Sequence, residues 1–254
     1  MSAVPATRHA VMTPLELVQS TSRTINSAGD AFYFDPATLE RGKEVGLDGF
    51  RLYFLGRGGV LGDVEPAVVS AAFGYFAPSV VETMWDSAKQ IMPPREAARL
   101  YLECAADFGR SKLHDLEGLG RFNAAAEAVI AAVDPSGLSL FAGIAAEPLP
   151  DDAPGRAYRN IVTLRELRGS VHLVAIVANG LTAAVAHAIH RPSDVAMFGY
   201  DEVPEATDAD REAWHRAEAL TDQLLEAPFA VLDDEQMRAF AHGVTVIAGR
   251  LSAP

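Results

Sequence analysis

Cysteine is nearly absent from this 254-residue chain, which carries only Cys104. A single cysteine forms no internal disulfide and supplies no thiolate metal cluster, so burial has to hold the fold together. At this length burial suffices, because such a chain removes roughly 70–75% of its unfolded surface from water. A reducing, cytoplasmic setting is expected, and Cys104, within Tyr101-Leu-Glu-Cys-Ala-Ala, reads as a small buried hydrophobe. Long apolar runs are missing too, and none approaches the ~20 residues of a membrane span. The best candidate, Val171 to Ala188, is interrupted by His172, Asn179, Gly180, Thr182 and His187 and reads as a buried helix pair. The segment Met1 to Thr13 holds Arg8 and His9 with no apolar run behind them, so no secretory signal is expected there.

Basic residues are also scarce, and the net charge is −13. The deficit is concentrated: between Asp201 and Glu235 twelve acids face only Arg211 and Arg216. Nucleic-acid affinity depends on Lys and Arg neutralising phosphates, so nucleic acid is an unlikely partner. A solvated acidic helix face is the simplest use of this segment. Catalytic signatures are missing as well. His-Glu-x-x-His, Gly-x-Ser-x-Gly and Ser-x-x-Lys do not occur. His187 and His190 stand three apart without a matching carboxylate, so no metal site is read and no cofactor is indicated.

What the sequence has in quantity is helix punctuation, with almost no strand alternation. Thr13-Pro-Leu-Glu16 is a capping box with proline at the first helical position. Asp35-Pro36 opens a helix that stops near Gly46, Ala77-Pro78 opens one through Met92, and Pro93-Pro94 starts the next, to about Lys112. Glu117 to Val133 is Ala-rich and helical, closed by the Asp134-Pro-Ser-Gly137 turn. Three prolines and a glycine between Glu147 and Gly155 mark a joint. The chain is therefore read as two halves, 1–147 and 148–254. In the second half Arg156–Arg168, Gly169–Asn179 and Thr182–His190 read as helices, with an Asn179-Gly180 turn. Asp233 to Gln236 is a further capping box, and the helix it opens aligns Met237, Phe240, Val244, Ile247 and Leu251 on one face. That face suits a second subunit, hence an expected homodimer, although it could equally fold back on its own chain.

The pattern predicts an all-α fold of helix-turn-helix type. A winged version needs a β-hairpin after the third helix, where this chain has Asp201-Glu-Val-Pro-Glu-Ala-Thr-Asp, acidic and not strand-forming. The wing is therefore expected to be reduced or lost. The segment from Leu164 through His172 to Ala175, followed by Ala178-Asn-Gly-Leu181, resembles the hallmark of an actinobacterial helix-turn-helix family. Gly49 to Arg57 with Leu61-Gly62, Phe73 to Pro78, and Thr221-Asp222 to Leu232 are similar to its other motifs, in the same order. The resemblance implies winged-helix ancestry, related in shape to small-molecule-responsive regulators, and implies no reaction. Where relatives have Arg-Gly-Asp before the histidine, this chain has Arg168-Gly169-Ser170.

Two groups of residues bear on function. If Tyr158 to Ala178 is one helix, Arg165, Arg168 and His172 share a face with Ile161, and Gly169 is the position where that helix would break. Cations on an apolar stripe need a counter-charge. Two guanidinium forks and an imidazole suit a carboxylate or phosphate. Internal acids, Glu166, Asp107 or Asp115, are the competing explanation. The second group is aromatic: nine of the aromatics fall between Phe32 and Phe76. They form either a core or one wall of a pocket, with Tyr53, Tyr75 and Phe76 as ligand contacts, Arg57 beside them and Arg57-Gly58-Gly59 as a flexible donor loop. The expectation is a small-molecule-binding protein whose anionic, partly aromatic ligand sits between the halves. The alternatives are an enzyme using His172 as general acid or base with Arg165 and Arg168 as anchors, and a ligand-responsive transcription regulator.

Overall fold

Helix starts follow the caps and prolines of the sequence. The computed structural model describes residues 12–202 and 204–252. Most of the N-terminal segment for which no secretory signal is expected, up to residue 11, lies outside the described residues. α1 (Pro14–Gly29) opens on Thr13, whose hydroxyl accepts from the Glu16 amide at 3.2 Å while the Glu16 carboxylate accepts from the Thr13 amide at 2.8 Å. α2 (Pro36–Glu44) is capped by Asp35 and α3 (Gly49–Gly58) by Asp48. α4 (Pro66–Phe73), α5 (Pro78–Lys89) and α6 (Pro94–Leu113) each begin on a proline, whose missing amide proton costs nothing there. α7 (Leu119–Ala132) and α8 (Ser139–Ala145) complete the first half.

The second half is built on α9 (Ala153–Ala178), one continuous helix of 26 residues. This corrects the reading of two helices split at Gly169. A glycine inside a helix costs only ~1 kcal/mol relative to alanine, and the burial along α9 outweighs that. α9 has no solvated polar face along most of its length, since Arg159, Asn160, Glu166 and His172 are buried in it beside Tyr158, Ile161 and Leu167. It lies against α1, α6, α7, α8 and α11. Tyr158 anchors it, donating to the Ala28 carbonyl at 2.8 Å and accepting from the Phe32 amide at 3.1 Å. One hydrophobic core runs from Leu17 and Phe54 through Tyr101, Phe122 and Ile161 to Phe240 and Ile247, across the joint at residues 147–155.

α10 (Ala183–His190) leaves α9 at 112° across four residues that include Gly180, at φ +78°. Two helices at roughly 90–120° joined by a short turn with glycine make a helix-turn-helix unit. α11 (Asp208–Phe229) and α12 (Asp234–Leu251) close the fold, the latter from the Asp233–Gln236 capping box. No strand occurs among the described residues, so the stretch after α10 carries no wing. Met237, Phe240, Val244 and Ile247 are at most 5% exposed, because α12 folds back on α1 and α7. The face read as a subunit interface is thus consumed inside its own chain. No single described helix is long and apolar enough to cross a membrane; α9 and α10 together pass that test only as a bent pair.

Candidate functional site

The face of α9 that carries Arg165, Arg168 and His172 looks into a cleft of about 870 Å³. Every residue singled out above as a ligand contact lines it: Tyr53 and Arg57 from α3, Tyr75 and Phe76 after α4, and the three α9 residues. The opposite walls come from α1 (Arg23, Asn26), α10 (His187, His190), the stretch after it (Arg191, Phe198) and α11 (Trp214, Glu218, Asp222). Its lining therefore comes from both sides of the joint at residues 147–155.

At its floor the charges are paired internally. Glu166 is 1% exposed and accepts two bonds from Arg57, Nε at 2.9 Å and Nη2 at 2.7 Å. It also accepts from Arg165 Nη1 at 3.0 Å and from the Tyr33 hydroxyl at 3.3 Å. Arg57 donates in addition to the Tyr53 hydroxyl at 3.0 Å and lies over the Phe73 ring at 4.3 Å. Burial works to raise the Glu166 carboxyl, but Arg57 and Arg165 outweigh it and hold the group below the ordinary carboxylate range. Two guanidinium groups thus share one carboxylate. The next acid near Arg165 is Asp30, 3.8 Å away and itself raised by burial. Arg57-Gly58-Gly59 is not a flexible donor loop. It runs from α3 into a short 3-10 turn, where a side chain on Gly59 would strike the Pro94 backbone.

Further along the face, Arg168 Nη2 donates to Glu218 Oε2 at 2.9 Å. His172 Nε2 lies 3.3 Å from Glu218 Oε1, and Nδ1 lies 2.9 Å from the Thr221 hydroxyl. Burial pushes the imidazole down to about 4, against the pull of Glu218, so the ring is neutral at pH ~7. A neutral ring carries one proton, and beside a carboxylate that proton belongs on Nε2. The Thr221 hydroxyl has a single proton and donates it to the Ala217 carbonyl at 2.7 Å, so Nδ1 lies beside Thr221 without receiving a hydrogen bond from it. Glu218 partners Arg168 and His172 from α11; Asp107 and Asp115 pair elsewhere, with Arg110 and Arg250.

Some polar groups in the cleft stay unpartnered. Arg165 Nε, Arg168 Nε and His187 Nε2 are buried without a hydrogen bond. His187 sits in an aromatic box, 4.0 Å from the Phe198 ring centre and 5.9 Å from Tyr75. Phe198 stacks on Phe76 at 4.2 Å, and Trp214 lies edge-on to His172 at 5.1 Å and stacked with His190 at 5.3 Å. Of the rest of the aromatic cluster, Phe32, Tyr33 and Phe54 are core, Phe73 is buried at the edge of the cleft, and Phe34 and Phe50 are exposed on the surface. Sequence reasoning missed His187, His190, Trp214 and Glu218 as cleft residues. The spacing of the two histidines on α10 was the one available signal, and it was weighed only for a metal.

All these elements, apart from α11, fall within the segment by which the chain can be classed. The sequence profile of the helix-turn-helix family matches residues 18–201, and the chain belongs to that family. No curated protein matches it, and no solved structure does. The resemblance read at Thr221–Leu232 lies beyond the matched residues.

Proposed function

We propose that the chain is a small-molecule-binding protein on a wingless helix-turn-helix scaffold, with an anionic, partly aromatic ligand held in the cleft between its halves. The observation that carries this reading is the set of buried, unpartnered donors Arg165 Nε and Arg168 Nε in an aromatic-walled cleft. Five arginines against three acids line it, in a chain whose net charge is −13. Buried donors normally find partners, and an anion would supply one here. Native mass spectrometry of the purified protein and a melt screen of organic anions test the reading. Arg168→Ala should weaken a ligand found this way by roughly 1.5–3 kcal/mol, the worth of a charge-assisted hydrogen bond. Binding unchanged by that substitution, or no anion raising the melting temperature, would count against it.

A ligand-responsive regulator is the second reading, favoured by the 112° angle between α9 and α10. Against it, α10 has no Lys or Arg from Ala183 to His190, and His187 faces inward, 4% exposed. Specific duplex DNA binding at physiological salt is not expected, and retardation of genomic fragments resistant to random DNA would refute that. The enzymatic reading lacks support from His172, which is 4% exposed and whose Nε2 is held by Glu218.

A further inference from the structure

α10 is held to the rest of the fold differently from the helices on either side of it. Its apolar side packs on the end of α9 and the start of α11, where Ala175, Ile176, Leu181, Ala186, Ala213 and Ala217 form a small cluster apart from the main core. Four of those six are alanines, so little apolar surface is buried there. α9 and α11, by contrast, also carry main-core residues, among them Ile161, Leu167, Leu225 and Phe229. Elements with few buried apolar contacts open at lower free energy than the core, and lids are drawn from them.

The chain beyond α10 makes a second attachment. Residues 191–199 lead to the start of α5, where the Phe198 carbonyl accepts from the Ala77 amide at 2.8 Å. The Phe198 ring stacks on Phe76 at 4.2 Å and covers His187 at 4.0 Å. Gly199, at φ +87°, brings the backbone so near α5 that an added Cβ would lie 2.2 Å from Val80 Cγ2. Both ends of the stretch can turn. At one, Gly180 has φ +78°, and a Cβ added there meets nothing within 4 Å. At the other, the described residues between 200 and 207 form no helix before α11 begins at Asp208. A few loop or element-terminal residues of this kind are enough to absorb a hinge motion.

We propose that residues 181–199, α10 with the strap behind it, form a flap on the cleft that opens as one unit about Gly180, with Phe198 as its latch on Phe76 and Ala77. His187, His190, Arg191 and Phe198 line the cleft from the flap, while Tyr75 and Phe76 line it from the fixed side. Opening therefore parts the aromatic wall and widens the way in. Its use as a gate rests on the proposed ligand site; the flap itself does not.

Hydrogen exchange of the full chain without ligand, read by mass spectrometry, tests the flap. Amides of 181–199 should exchange at least about a hundredfold faster than those of 157–168 in α9. Phe198→Ala should speed exchange across 181–199 by about tenfold and leave α6 and 157–168 unchanged. Gly199→Ala sets a side chain against Val80, a strain that opening relieves, so it should act on the same segment alone. Exchange of 181–199 as slow as that of α9 would overturn the flap. So would acceleration that spreads through α6 and α9, acceleration confined to 197–199, or none from either variant. No ligand enters the measurement, so that failure leaves the proposed ligand site standing, and failure to find a ligand leaves the flap.

Discussion

Glu166→Gln is the sharpest perturbation of this fold, because it removes a charge and changes almost no volume. The native carboxylate takes four donors, from Arg57 Nε and Nη2, Arg165 Nη1 and the Tyr33 hydroxyl. The amide keeps one acceptor oxygen, turns an NH₂ toward two guanidinium groups, and leaves both cations with only Asp30 at 3.8 Å. Breaking a buried ion pair by removing one partner costs ~3–5 kcal/mol, because the remaining charge stays buried. For a chain of this size each kcal/mol lowers the melting temperature by roughly 2–4 °C, so the midpoint should fall by about 10 °C. Arg57→Met should cost less, since it leaves Glu166 and Arg165 as a neutral pair. The double variant should recover part of the loss, a coupling of at least ~1 kcal/mol. Urea unfolding followed by circular dichroism measures all three. A loss below ~1 kcal/mol for Glu166→Gln would mean that these groups behave as a solvated surface pair, and the reasoning would fail.

Two further outcomes follow from α9. An added Cβ at Gly169 meets nothing within 4 Å, yet the position lines the cleft; Gly169→Ala should therefore stabilise the helix by ~0.5–1 kcal/mol while weakening anion binding, and a drop in melting temperature would refute this. The second concerns acid. His172 is held down to about 4 in the fold against 6.5 in an ordinary environment, so the unfolded chain binds the proton first. Stability should fall as pH drops from ~6.5 to ~4, by roughly 3 kcal/mol from this ring, and His187 and His190, both lowered by burial, add in the same direction. His172→Gln should flatten the pH profile, and an unchanged slope would refute the assignment.

The fold was legible wherever a local rule sets a boundary. Capping boxes at Thr13 and Asp233 and prolines at 36, 78 and 94 placed five helix starts to the residue. α3 was not assigned, because its sequence was read only as a family motif ending in a flexible Arg57-Gly58-Gly59 loop. In the helix, a side chain on Gly56 would sit 2.6 Å from Tyr101 Cβ, so the glycine lets α3 approach α6 closely. Gly169 misled the reading in another way, since a helix buried along most of its length tolerates one glycine. The α9 half of the site was legible because a spacing of three and four residues puts Arg165, Arg168 and His172 on one face. The α11 half was not. Glu218 lies 50 residues from its partner Arg168, in a segment whose acidity suggested only solvation.

That acidity has a more particular use at Glu218. Arg165 and Arg168 stand one turn apart on α9, yet they meet different surroundings. Arg165 lies over the Tyr33 ring at 5.0 Å, packs its stem on Gly29 at a spacing that admits no side chain, and completes the Glu166 cluster. Arg168 has only Glu218, whose side chain is 31% exposed. Solvent reaches that pair more than it reaches Glu166, whose side chain is 1% exposed, and screens it more strongly. One helix face thus divides into an inner part, where charge is spent on joining α1, α3 and α9, and an outer part, where it is held loosely beside aromatic rings. The internal-pairing explanation accounts for the charges of the inner part, where Arg57, Arg165, Glu166 and Asp30 meet. It does not account for Arg168 Nε, which Glu218 leaves without a partner although the atom is buried. The proposed ligand seat rests on that residual donor, on the loosely paired outer arginine beside the cleft.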